Sequence, residues 1–163
     1  MSLNFFRQDC QFPPINDATF GLCDDQDGSR AYPDMVNRGN WIATVKNEGR
    51  LDITFTAIDK CVLLDWEHPG KGRCDGMLTT KRHLYLVELK DMEPPWQSGT
   101  IEQLRSTIAL LKAAHDISQF PLKKAFAANK KRPVFVVIDN EENTAFSRET
   151  GFRLDIQAEI LVI

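Results

Sequence analysis

No apolar run in this sequence approaches the roughly 20 residues that a membrane-spanning helix needs. Nor does the N-terminus join basic residues to an apolar stretch, so neither a membrane span nor a signal peptide is expected. The four cysteines, Cys10, Cys23, Cys61 and Cys74, form no C-x-x-C pair. Without a secretory signal, that spread points to reduced, buried thiols in a cytoplasmic protein and gives a zinc cluster no support. No glycine-rich phosphate loop of either standard form is present, which leaves a nucleotide-hydrolysing motor unsupported. His68, His83 and His115 are scattered and complete no catalytic triad, and His83 is expected to lie exposed in a turn. A basic excess is also missing, since 20 Lys and Arg against 23 Asp and Glu leave a net charge of −3. That argues against a protein living on strong nonspecific DNA binding. It says little against an enzyme, because an acidic metal site carries negative charge until its cation arrives.

What is there suits one soluble domain. The 163 residues are 42% hydrophobic and 26% charged, enough to bury a core. Residues 1–40 carry the breakers Pro13-Pro14, Gly21, Gly28, Pro33 and Gly39 and read as an irregular arm with one short helix. The acidic stretch from Cys23 to Gly28 lacks the terminal Glu of a calcium loop and reads as a polar turn. From Trp41 onward the chain reads as an ordered α/β domain, residues 41–163. Trp41, Ala43 and Val45 alternate with polar neighbours, as do Leu51, Ile53, Phe55 and Ala57 around the turn Asn47-Glu48-Gly49, which predicts a hairpin. A second hairpin is expected from Asp75–Thr79 and Leu84–Lys90, joined through Thr80-Lys81-Arg82-His83.

A helix is expected from about Thr100, where Ile101, Leu104, Ile108 and Leu111 recur at helical spacing. After a basic connection, the apolar run Val134–Ile138 reads as a strand covered on both faces. The order strand, helix, strand then implies a parallel pair. A last strand is expected in Glu159–Ile163.

The segment from Cys74 to Lys90 holds the chemistry. Alternation puts Glu88 and Lys90 on one face, with Leu89 facing away. A hairpin centred between Lys81 and Arg82 sets Asp75 opposite Glu88, with Cβ atoms about 5 Å apart. Two carboxylates and an ammonium then meet on one patch. Such a pair could hold Mg²⁺ or Mn²⁺, a hard cation that keeps several waters, with the carbonyl of Leu89 as a further ligand. The cation would polarise a phosphate and activate a water, while Lys90 orients that water or neutralises developing charge.

Asp75 followed by Glu88-Leu89-Lys90 on an apolar strand resembles the PD-(D/E)XK nuclease superfamily. Cys74 stands where the Pro of that name would be. The resemblance covers roughly residues 41–140 and implies a restriction endonuclease-like core, a central mixed sheet flanked by helices. It also implies a Gln early in the following helix, a place that Gln103 fits. An additional acidic residue is implied as well, for which Glu48, Asp59 and Glu67 are open alternatives. The implied activity is metal-dependent hydrolysis of nucleic acid, most plainly DNA, by Asp75, Glu88, Lys90 and Gln103. A homodimer or partner subunit would reconcile that chemistry with the small size. The alternative is a nuclease-fold module that binds a protein partner or nucleic acid without cutting.

Plainer readings stand beside these. Asp75-Gly76 could be turn chemistry, and Glu88 and Lys90 the solvated face of an edge strand. Gln103 could close a capping box with Thr100. Lys123, Lys124, Lys130, Lys131 and Arg132 could contact phosphates or form a solvated loop. Trp66 and Trp96 could stack on bases, though burial suits them better.

Overall fold

Beyond Trp41 the alternation of apolar and polar residues produces strands, but the first of them does not pair with the strand that follows it. The computed structural model describes residues 3–65, 72–133 and 140–163. In these residues the chain is a mixed α+β fold of two mixed sheets and two helices. The elements are β1 (Thr19–Cys23), β2 (Tyr32–Asp34), β3 (Ala43–Lys46), β4 (Thr54–Ala57), β5 (Gly76–Thr79) and β6 (His83–Lys90). They continue with α1 (Gln97–Ala114), β7 (Leu122–Asn129), α2 (Asn140–Thr150), β8 (Arg153–Ile156) and β9 (Glu159–Leu161). Among the described residues no helix is long and apolar enough to cross a membrane.

The smaller sheet runs β2-β1-β3-β9 and the larger one β4-β5-β6-β7-β8. This corrects two expectations. The N-terminal arm is not irregular: it supplies β1 and β2, with β1 antiparallel to both β2 and β3. β3 and β4 do not form a hairpin either, for β3 pairs with β1 and β9 while β4 pairs with β5. Each strand alternates as expected, but periodicity fixes only which side chains share a face and leaves the partner open. The arm also lies along β4, where the Phe12 N–H donates to the Phe55 carbonyl and Ile15 and Ile53 exchange main-chain hydrogen bonds. The polar turn after β1 is as expected, with Asp24 and Asp27 each accepting a main-chain N–H two residues on.

Two cysteine expectations part company. Cys23 and Cys74 are free and buried, but Cys10 and Cys61 form a disulfide with Cα atoms 5.8 Å apart. The arm folds back over the segment after β4 and brings together two residues that sequence spacing kept apart.

The larger sheet is built around β6. Its neighbour β5 is antiparallel, while β7 and β8 run parallel. α1 connects β6 to β7, and Ile101, Leu104, Ile108 and Leu111 are all buried. The strand that receives the crossover is thus Leu122–Asn129, where a basic connection was expected. Its sequence hides it, because Lys123 and Lys124 open the strand and three of its buried residues are alanines, which are weak strand formers. The run Val134–Ile138 lies outside the described residues. One hydrophobic core draws on both sheets and both helices.

Candidate functional site

The β5–β6 hairpin has the expected register, with Thr79 opposite Leu84 and Gly76 opposite Val87. The ladder ends one pair short of Asp75 and Glu88. There the Asp75 N–H turns to the Val87 carbonyl (3.1 Å), and Asp75 Oδ2 takes the N–H of Leu89 (2.7 Å). A side-chain carboxylate therefore completes hydrogen bonding where the strand pair parts. Gly76 is required beside it, since a Cβ there would sit 2.3 Å from the Phe55 ring.

This turn of the chain brings the Asp75 and Glu88 carboxyls close enough for each to act on the other's ionisation. Both are nearly sealed from solvent, at 8% and 1% exposure. Lys90 lies on the same face, its Nζ 3.8 Å from Glu88 Oε2. That oxygen is buried and accepts no hydrogen bond. Ala127 pairs with Glu88 on the neighbouring strand.

Burial raises the pKa of both acids, because a charged carboxylate is poorly solvated there. For Asp75 the nearby charge of Glu88 adds to the rise, and the Leu89 N–H opposes it. For Glu88 the contact with Asp75 and the charge of Lys90 oppose the rise. Acids that act on each other in this way lose their protons as a pair.

The structure brings together Asp75, Glu88 and Lys90, with the main chain of Leu89 against Asp75. Gln103 comes from the helix that packs on the site segment. It lies half-buried on α1, against Gly72, and its side chain makes no hydrogen bond among the described residues. The capping box is also absent, because α1 begins at Gln97 and the Thr100 hydroxyl donates to the Trp96 carbonyl from inside the first turn. The α1 residue that does bind the site segment is Thr107. Its hydroxyl accepts the Cys74 N–H at 2.8 Å and donates to the Gln103 carbonyl at 2.9 Å. Nothing in the sequence marks this buried threonine.

Of the three alternatives for an additional acid, Asp59 is the one whose charge acts on Glu88. Glu48 is exposed in the turn after β3, and Glu67 lies outside the described residues. Burial raises the pKa of Asp59, and Arg73 opposes the rise. Asp24, from the turn after β1, also acts on Asp59, Asp75 and Glu88. Sequence reading missed it because the β1–β2 turn is brought there only by tertiary folding.

The remaining residues take plainer roles. His83 is buried, contrary to expectation, with its ring nitrogens 2.7 Å from Thr80 Oγ1 and 2.8 Å from the Ile163 carbonyl. Trp96 is buried, and Trp66 lies outside the described residues. Lys123 and Lys130 donate to main-chain carbonyls, while Lys124 and Arg132 face Asp155 and Glu93. Among the described residues no three His, Cys, Asp or Glu side chains are grouped to hold a metal ion. A cation here would therefore have two side-chain ligands. That fits Mg²⁺, which favours hard oxygen donors and retains water. The orphaned Glu88 Oε2 is the kind of acceptor such an ion satisfies.

No protein-family model, curated protein or solved structure matches this chain.

Proposed function

We propose that this chain is a metal-dependent nuclease of restriction endonuclease-like architecture, hydrolysing phosphodiester bonds, most plainly in DNA. The observation that carries the reading is the buried Asp75–Glu88 pair, with Glu88 Oε2 lacking a hydrogen bond and the Lys90 ammonium 3.8 Å away. A structural role suits this arrangement poorly, because two adjacent buried carboxyls destabilise the fold unless a proton or cation compensates them. The larger sheet supports the same reading, since an antiparallel hairpin feeds a helix that returns to a parallel strand beside β6. In this reading Asp75 and Glu88 hold Mg²⁺ or Mn²⁺, and the Leu89 N–H fixes the Asp75 carboxyl. A cation held there would lower the pKa of a bound water and offset charge on the phosphate. Lys90 orients that water or stabilises the developing charge.

One observation favours the second reading, a nuclease-fold module that binds nucleic acid or a protein without cutting. At 1% exposure Glu88 is closed to a bulky substrate in this conformation.

The variants Glu88→Ala and Lys90→Ala separate the two. If the chain is a nuclease, both remain folded and lose cleavage of single- and double-stranded DNA in Mg²⁺ or Mn²⁺ by orders of magnitude, each tenfold being about 1.4 kcal/mol of barrier. Wild type that cuts neither substrate while keeping its affinity for DNA would favour the binding module. Equal trace activity in all three proteins would count against the enzyme.

A further inference from the structure

Just ahead of Asp75 in the chain the fold holds a cationic donor that it uses only in part. Arg73 precedes Asp75 by two residues, and its side chain is 18% exposed. Its Nε stands 3.1 Å from Asp59 Oδ1 and its Nη2 2.7 Å from Asp65 Oδ1. The third nitrogen, Nη1, is buried and has no hydrogen-bond partner. Two carboxylates thus fix the plane of the guanidinium and leave one edge free.

Buried donors are nearly always satisfied, so an orphan on a held arginine calls for an acceptor. The matching chemistry is an oxyanion, whose oxygens accept charge-assisted hydrogen bonds from the planar fork. Around it the orphans carry the opposite sign. Asp59 Oδ1 touches Arg73 without an aligned hydrogen bond, and Glu88 Oε2 accepts none. The Asp59 N–H donates to the Cys74 carbonyl at 3.2 Å and the Ile58 N–H to the Asp75 carbonyl at 3.0 Å, so the carboxylate that holds Arg73 hangs from the chain beside Asp75. Buried acceptors without donors beside a buried donor without an acceptor are the two halves of a site for a cation paired with an oxyanion.

We infer that Arg73 is the oxyanion contact of this site, with Nη1 donating to a non-bridging oxygen of the phosphodiester, Asp59 as the positioning residue that holds the guanidinium, and the half-exposed Asp65 as a carboxylate that competes with the phosphate for it. The inference rests on the nuclease reading and deepens it by assigning the contact for the substrate phosphate.

The test is fluorescence anisotropy with a short fluorescein-labelled single-stranded DNA, in Ca²⁺ and again in EDTA. Arg73→Gln should weaken binding at least about tenfold, or about 1.4 kcal/mol, in both conditions. Asp65→Asn removes a competing acceptor whose side chain is 54% exposed and should tighten binding several-fold. The exposed and distant Asp116→Asn measures the general effect of removing one negative charge, and the gain from Asp65→Asn must exceed it.

Arg73→Gln that is folded and binds like wild type overturns the inference, and so does wild type that binds no DNA in either condition. If Arg73→Gln does not fold, Asp65→Asn decides, and no gain beyond the control is a refutation. Displacement of the DNA by inorganic phosphate from wild type but not from Arg73→Gln assigns the site to phosphate generally. DNA binding that needs Arg73 and resists inorganic phosphate assigns it to the diester. Calorimetric titration with Mn²⁺ of wild type and Glu88→Gln tests the cation reading by itself. Failure there leaves the Arg73 measurement interpretable.

Discussion

Lys90 Nζ stands 3.8 Å from Glu88 Oε2, close enough for attraction and too far for a direct hydrogen bond. The two side chains share a face of β6, yet the carboxyl is sealed and the ammonium only half-buried. The ammonium therefore offsets part of the cost of a buried carboxylate without satisfying its oxygen. Replacing Lys90 with Met removes that opposition and should raise the Glu88 pKa further. Titration of the side-chain carboxyl carbons by ¹³C NMR reads this directly, and an unmoved Glu88 curve would show that the lysine is electrostatically irrelevant.

The carboxyl pair should make the metal-free protein less stable as pH rises. Asp75 and Glu88 both have raised folded-state pKa values, so the folded chain binds protons more tightly than the unfolded one. The pair's contribution to stability is then greatest below the unfolded carboxylate range, about pH 4, and falls as pH climbs toward the raised values. A tenfold difference in proton affinity between the folded and unfolded chain is worth about 1.4 kcal/mol. Glu88→Gln should flatten this dependence and stabilise the metal-free protein at neutral pH. Urea unfolding of wild type and Glu88→Gln from pH 4 to 8 in EDTA tests both points, and a stability difference between them that does not grow with pH would refute them. Millimolar Mn²⁺ should restore wild-type stability at pH 7 by mass action and leave Glu88→Gln largely unaffected.

Reduction should loosen the N-terminal arm. The Cys10–Cys61 bond closes a loop of sequence separation 51. In the chain-entropy picture, opening a loop of that size costs about 4 kcal/mol. Cys10→Ser, or a reductant added to wild type, should lower the urea midpoint accordingly, and amide exchange should rise at Phe12 and Ile15, which bond to β4. Identical midpoints with and without reductant would show that the bond adds nothing.

Two glycine substitutions should move stability in opposite directions. A Cβ at Gly76 would meet the Phe55 ring at 2.3 Å, whereas one at Gly99, inside the first turn of α1, meets nothing within 4 Å. Gly76→Ala should therefore cost about 1–3 kcal/mol or more and displace Asp75 with it. Gly99→Ala should gain up to about 1 kcal/mol from helix propensity. Thermal unfolding of the two variants beside wild type checks the pair.

The hairpin that carries the site was legible because its information is local. Alternation in Leu84–Lys90 and the turn between Lys81 and Arg82 determine which residues face each other over a short span of chain. The stripe of Ile101, Leu104, Ile108 and Leu111 located α1 for the same reason, and the strand at Glu159 was equally readable. β7 was not, since alanines buried between parallel neighbours carry neither alternation nor branched side chains.

By itself the sequence determined the local periods, and through them that Glu88 and Lys90 share a face and that Asp75 approaches them across a hairpin. Tertiary structure alone decided the long-range pairings. These are β3 with β1 and β9, the arm along β4, the Cys10–Cys61 bond, and the placing of Asp59, with its Arg73 partner, beside the chain at Asp75. The physical reason is that a strand's period specifies its faces but not its neighbour. Charges far apart in the chain meet only after the sheets assemble, and burial then gives them the shifted protonation and unpaired atoms on which the proposed chemistry depends.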